Sequence, residues 1–171
     1  MNNTAGDIVL LQPINDLIIG GAAGATITNN GANGGIDVTA AAGTIDVEGP
    51  ITTNGTGYIA LTAQGATSDI NVTAAVTSLG GGAITFTADR DVTFTADGDV
   101  ASNNGNITVT ADASGFGAGG ITMVDGTTIN AGTGTVTMNA FDDILSTGST
   151  TTNATGAAVS ITSVDGDILD A

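Results

Sequence analysis

The sequence predicts an all-β fold, a right-handed parallel β-helix of six to seven coils with three strands in each coil. Short runs alternate apolar and polar residues, as in residues 84–87 and 92–95, and this alternation is typical of half-buried strands. Glycine, asparagine and aspartate, which favour turns, separate the runs. The pattern starts again after 23 to 29 residues, which indicates stacked repeats. A left-handed hexapeptide helix would repeat after about 18 residues instead.

The first strand of each coil starts at an anchor, which we define as the first apolar residue expected to face inward. Further inward positions follow at every second residue, so Val109 and Ala111 come after Ile107 in the fifth coil. β-Branched anchors suit this position because they pack well on a pleated sheet. The predicted first-strand anchors are Ile8, Ile36, Ile59, Ile84, Ile107, Val136 and Val159.

The second and third strands are shorter, and an aspartate often precedes the second strand. The predicted second-strand anchors are Ile18, Ile45, Ile70, Val92, Ile121, Ile144 and Ile168. The predicted third-strand anchors are Ile27, Ile51, Val76, Val100, Ile129 and Thr150. Thr150 is the one polar anchor, so the pattern is weakest there.

Asparagine and glycine mark the corner after the third strand, because both tolerate left-handed backbone angles. Four asparagines follow their third-strand anchors by three residues, and stacking would align their amides in a ladder. These residues are Asn30, Asn54, Asn103 and Asn153. The fifth coil is longer because residues 112–119 are inserted between its first two strands. Such an insertion can form a binding loop, but lengthening a glycine-rich loop costs little, so we expect simple variation in length.

The composition excludes several classes of function. The chain of 171 residues has no cysteine or histidine, which excludes disulfides, Cys/His metal sites and Ser-His or Cys-His nucleophiles. It has 17 acidic residues and one basic residue, Arg90, giving a net charge of −16. Nucleic-acid binding requires Lys and Arg to displace counterions, so we expect no nucleic-acid partner. Anionic membrane surfaces are disfavoured for the same reason.

The repeat covers the whole chain, so residues 1–171 are predicted to form one β-helical segment. The chain has no run of 18 apolar residues, and we expect no membrane insertion. Residues 1–16 lack the basic start and long apolar core of a signal peptide. Neither end carries an evident cap over the solenoid. These features favour an interior part of a longer protein or a unit that associates with itself through the solenoid ends.

The repeat GNITVTA at residues 105–111 and the recurring Asp-Ile/Val steps resemble the β-helical repeats of filamentous-haemagglutinin-like bacterial exoproteins. The resemblance extends over nearly the whole chain. It implies an extracellular or cell-surface location and the role of an adhesin's shaft. It also implies host surfaces or extracellular glycans as partners.

Paired carboxylates raise the question of an enzyme or a calcium site. The candidate pairs are Asp89 with Asp91, Asp97 with Asp99, Asp142 with Asp143, and Asp165 with Asp167. Such pairs can hydrolyse glycosides, but the chain has few aromatic residues for a sugar cleft and one cation for a lyase, so we expect no enzyme. The same eight aspartates lie at corners, where their oxygens suit Ca²⁺. No other cofactor is expected. Turn capping by aspartate is the simpler interpretation.

Threonines on the outward positions of the first strands form a further candidate site. Thr85, Thr87, Thr108 and Thr110 are the most regular part of this array, which resembles the ice-binding faces of antifreeze proteins. Strand propensity also places threonine at such positions. Asp37, Ala60, Asn139 and Ser160 interrupt the array. The sequence therefore favours a structural or adhesive extracellular shaft, with ice binding as the alternative.

Overall fold

A computed structural model describes residues 1–21, 24–154 and 156–170. These residues form 21 β-strands in three sheets of seven strands. Every neighbouring pair is parallel, and each strand pairs with its counterpart one coil away. The predicted all-β solenoid with three strands per coil is confirmed. Within the described ranges, no helix is long and apolar enough to cross a membrane.

The first-strand sheet contains the longest strands and follows the predicted anchors. Its strands are β2 (Ile8–Gln12), β5 (Ile36–Ala40), β8 (Ile59–Ala63), β11 (Ile84–Ala88), β14 (Ile107–Thr110), β17 (Val136–Ala140) and β20 (Val159–Ser163). All seven predicted first-strand anchors lie directly beside one another in the register. The predicted register of this sheet is confirmed; six of the anchors are buried, whereas Val159 on the last coil is 41% exposed.

The other two sheets complete each coil. The second-strand sheet consists of β3 (Leu17–Ile19), β6 (Ile45–Val47), β9 (Ile70–Val72), β12 (Val92–Phe94), β15 (Ile121–Met123), β18 (Ile144–Ser146) and β21 (Ile168–Asp170). The third-strand sheet consists of β1 (Asn2–Asn3), β4 (Ile27–Asn29), β7 (Ile51–Thr53), β10 (Val76–Ser78), β13 (Val100–Ser102), β16 (Ile129–Asn130) and β19 (Ser149–Thr150). Strand β1 precedes the first full coil and was not predicted.

Two predicted anchors are wrong by one residue. In the first coil Leu17, not Ile18, pairs with Ile45, and the Ile18 side chain is 57% exposed. Residues 17–19 are all apolar, so alternation gives no contrast there. In the sixth coil Ser149, not Thr150, pairs with Ile129. Both of these residues are polar, and the pattern again cannot distinguish the inward one.

The Asn ladder is confirmed in part. The Asn54 amide donates to Asn30 Oδ1, and the Asn30 amide donates to Asn2 Oδ1 at 2.6 Å. Asn103 instead donates to the carbonyl of Leu79 at 3.1 Å, because the intervening coil has leucine at that position. The shift of the sixth coil's anchor to Ser149 places Asn153 one residue out of register with the other three asparagines.

The core is a dry column of apolar side chains that the three sheets enclose. Ile36, Ile59, Ile84 and Ile107 are completely buried. In the fourth coil Phe86 and Phe94 pack edge to face, with ring centroids 5.3 Å apart. Edge-to-face packing is a favourable geometry for aromatic pairs. Side chains that alternate with this core face outward and form the candidate surfaces.

Candidate functional site

The outward threonines of the first-strand sheet lie in two parallel columns. One column includes Thr85, Thr108 and Thr137, and the other includes Thr87 and Thr110. Neighbours within a column belong to adjacent strands, about 4.8 Å apart, and the columns are separated by about 6.6 Å, or two residues along a strand. The structure therefore brings the predicted threonines together on one face.

The outward threonines of this face are half-buried. None of the outward threonines on the first strands forms a side-chain hydrogen bond within the described residues. Threonines at the corners behave differently, since Thr53, Thr73 and Thr127 donate to backbone carbonyls. The face keeps its hydroxyls available for water or a ligand.

Several of the corner aspartates cap backbone N–H groups, as the sequence favours, and they do so between coils. An Asp or Asn directly before an anchor accepts a hydrogen bond from the backbone N–H of the equivalent residue on the next coil. This contact, which we call an inter-coil cap, pairs an N–H that lies just outside the strand ladder. The donor–acceptor pairs are Gly35–Asp7, Thr44–Asp16, Asp91–Asp69, Gly120–Asp91, Thr128–Asp99, Thr135–Asn106 and Asp167–Asp143.

The eight candidate calcium ligands thus divide into three groups. Asp91, Asp99 and Asp143 form inter-coil caps. Asp89 and Asp142 accept hydrogen bonds from residues of the 112–119 loop. The remaining three carboxylates are exposed and make no hydrogen bond within the described ranges; they are Asp97, Asp165 and Asp167.

Metal ligation would require several of these carboxylates to converge. Among the residues that the structure describes, no group of three Asp, Glu, His or Cys side chains could hold a metal ion. Calcium binding therefore stays an alternative from the sequence, beside the simpler interpretation that these aspartates are caps.

Arg90 binds an aspartate on the preceding coil. Its Nε lies 2.6 Å from Asp69 Oδ1, and its Nη2 contacts the second carboxylate oxygen. Asp91 Oδ2 lies 3.4 Å from the same Nε. Hydrogen bonding to Asp69 and its negative charge raise the pKa of the Arg90 guanidinium, so this side chain stays charged. It relieves repulsion between the stacked carboxylates of Asp69 and Asp91.

Tyr58 is the second group with a perturbed titration. Its ring covers Gly35 on the preceding coil, where a Cβ would lie 2.6 Å from Tyr58 Cε1. Partial burial raises the pKa of the phenol, and the charges of Asp7 and Asp37 add to the effect. The ring has no cation beside it that would activate the phenol. Tyr58 therefore packs on Gly35 as a structural contact.

The comparisons with known proteins find no match. No family model matches the chain, and no curated protein or solved structure is significantly similar to it. Any function must therefore be argued from the surfaces described above.

Proposed function

We propose that this chain is the shaft of an extracellular structural or adhesive protein. The observation that carries the proposal is the continuous parallel pairing within each of the three seven-stranded sheets. The coils are joined by parallel ladders and by inter-coil caps. Such a segment is suited to holding other parts of a protein at a fixed distance.

Stiffness follows from the way the coils are joined. The second to fifth coils each hydrogen-bond to both neighbours in all three sheets, and the first-strand anchors form an uninterrupted column of Ile and Val. Bending the rod would strain several ladders and open the packed core at the same time. Seven coils at about 4.8 Å per coil give a rod about 34 Å long.

The extracellular part of the proposal is supported by the resemblance of residues 105–111 to exoprotein repeats and by the acidic surface. High net charge keeps a protein soluble and resists non-specific association. A shaft that adheres only at particular surfaces is consistent with both the exoprotein-like repeat and the acidic surface.

Single-molecule force measurement tests the shaft. We expect a segment held between two marker domains to resist stretching and then to unravel in steps of about one coil, because each coil contacts only its neighbours. One coil corresponds to 23–29 residues of released chain. Free extension at low force, as for a disordered linker, would refute the proposal.

Ice binding is a second candidate, favoured by the two columns of threonines with free hydroxyls. A flat, regular array of hydroxyl and methyl groups can match ordered water over several coils. The array is broken by Asp37, Ala60 and Asn139, which restricts the regular part to the fourth and fifth coils and their neighbours.

Thermal hysteresis and crystal shape test this second candidate. Ice binding requires faceted crystals with the wild-type protein and their loss in Thr108→Lys. The matched control is Thr77→Lys, which places the same charge on an outward position of the third-strand sheet. Round crystals that grow freely at high protein concentration would exclude ice binding.

A further inference from the structure

The strongest unassigned surface lies where the 112–119 loop meets the next coil. Phe116 is 59% exposed, Phe141 is half-buried, and Val164 is 72% exposed. The other two phenylalanines, Phe86 and Phe94, are completely buried. Phe141 and Val164 line one cleft at this corner, and accessible apolar side chains on a polar surface indicate a contact site.

The loop is held firmly against this corner. Gly119 accepts hydrogen bonds from the N–H groups of Phe141 and Asp142, at 3.1 and 3.0 Å, and donates to Asp142 Oδ2 at 3.1 Å. A Cβ at Gly119 would lie 2.5 Å from the carbonyl oxygen of Arg90, so a larger residue cannot take this position. A Cβ at Gly117 would lie 3.7 Å from the Phe141 ring, which shows that the loop runs along the ring edge.

Asp112 organises the start of the same loop. It has a positive φ of 56°, which is uncommon for a residue other than glycine. Its carboxylate accepts a hydrogen bond from the N–H of Gly117, and its carbonyl accepts one from Gly115. These contacts preorganise the loop, and preorganisation lowers the entropy cost of binding.

Beside the loop is an open cleft of about 210 Å³ with a mixed lining. Phe141, Val164 and alanine side chains supply its apolar part. Thr110 and Asn139, on adjacent first strands, supply a hydroxyl and an amide that make no hydrogen bond within the described residues. Asp112 contributes a carboxylate at the edge.

This combination fits a sugar ring better than other ligands. A pyranose has an apolar C–H face, which stacks on an aromatic ring, and a rim of hydroxyls, which pairs with amides and hydroxyls. A lipid chain would leave Asn139 and Thr110 unpaired, which is unfavourable. The volume is below the range of about 300–1,000 Å³ for drug-sized ligands and suits one ring.

Charge selects among sugars. The chain carries a net charge of −16, and Asp112 lies at the cleft. Uronic acids and sulfated sugars would be repelled by this field. We propose that the cleft between the 112–119 loop and Phe141 binds a neutral sugar ring of an extracellular glycan, with the ring stacked on Phe141. The inference deepens the adhesive part of the proposed function and rests on it.

Saturation-transfer NMR with neutral methyl glycosides, and with methyl glucuronide as the charged comparison, tests the site. We expect millimolar binding of at least one neutral glycoside and at least tenfold weaker binding of the glucuronide. Phe141→Ala should weaken binding by tenfold or more. Asn139→Ala removes an outward amide with little risk to the fold, and it should also weaken binding.

Leu79→Ala is the matched control, because Leu79 is 53% exposed at a corner of a different sheet. It should leave binding unchanged. Absence of saturation transfer from every neutral glycoside would overturn the inference, as would equal losses in Leu79→Ala and Asn139→Ala. Binding of an apolar peptide in place of sugars would also overturn it. These outcomes are independent of the force measurement, so the sugar site and the shaft can fail separately.

Discussion

At the scale of single residues, the acidic side chains join coils to one another. Asp99 Oδ1 accepts two hydrogen bonds from Thr128, one from the backbone N–H and one from the hydroxyl, each 2.8 Å long. Asp97 lies two residues away, is exposed, and makes no hydrogen bond within the described part of the chain. The two neighbours thus differ in their contacts while carrying the same charge.

Replacing Asp99 by alanine should lower the free energy of unfolding by about 1 kcal/mol, because Thr128 loses both contacts. Asp97→Ala should change it by less than about 0.5 kcal/mol. Each variant removes one negative charge, so the comparison cancels the effect of net charge. Urea denaturation measures both values, and equal losses would show that the cap contributes nothing.

The contacts of the corner aspartates also allow a prediction about calcium binding. Inter-coil caps and loop contacts occupy five of the eight candidate carboxylates without a metal. We therefore expect equal melting temperatures in CaCl₂ and in NaCl of the same ionic strength, since screening acts equally in both. A melting temperature that rises in millimolar CaCl₂ alone would establish specific sites, because a ligand of the native state stabilises it.

At the scale of strands, the first strands of each coil, which are four or five residues long, carry the alternation most clearly. In β14, Ile107 is completely buried between Ile84 and Val136, whereas Thr108 faces outward beside Thr85 and Thr137. Adjacent residues of one strand therefore have opposite environments. A register shift of one residue would exchange them.

Ile107→Asp should destabilise the fold by about 3–5 kcal/mol, because an unpaired charge would be buried in the dry core. Thr108→Ala should cost less than about 1 kcal/mol, since it removes an outward hydroxyl and some strand propensity. Thermal melts of the two variants provide the measurement. Comparable losses would mean that β14 has the other register.

At the scale of the whole molecule, the repeat continues without a break to both outermost coils. Strand β2 pairs only with β5, and β20 only with β17, among the described strands. Backbone edges of this kind are templates for further pairing. A second copy of the segment would extend all three sheets along the same axis, while the net charge of −16 opposes its approach.

We therefore expect the segment to associate end to end as ionic strength rises. Salt weakens the repulsion between the copies, since the screening length is about 10 Å at 0.1 M. Light scattering across a salt series measures the association, and negative-stain microscopy shows whether rods lengthen along the helix axis. Monodisperse monomers at every salt concentration would exclude self-association of this segment.

The sequence by itself determined the coils, the three strands in each coil and the outward threonine columns. Alternation with a period of two separates buried from exposed positions wherever neighbouring residues differ in polarity, as Ile107 and Thr108 do. It failed at residues 17–19 and 149–150, where neighbouring residues are alike in polarity. A sequence pattern can identify the inward residue only where neighbouring residues differ in polarity.

The tertiary structure decided which residues meet across coils. The Asp99–Thr128 cap joins residues 29 positions apart, and the 112–119 loop reaches Phe141 on the next coil. The sequence predicts only a variation in loop length for that insertion, and no cleft. Its position depends on the stacking offset between coils and on the left-handed turn at Asp112. These contacts are absent from the period-two pattern because they depend on residues that become neighbours only when the coils stack.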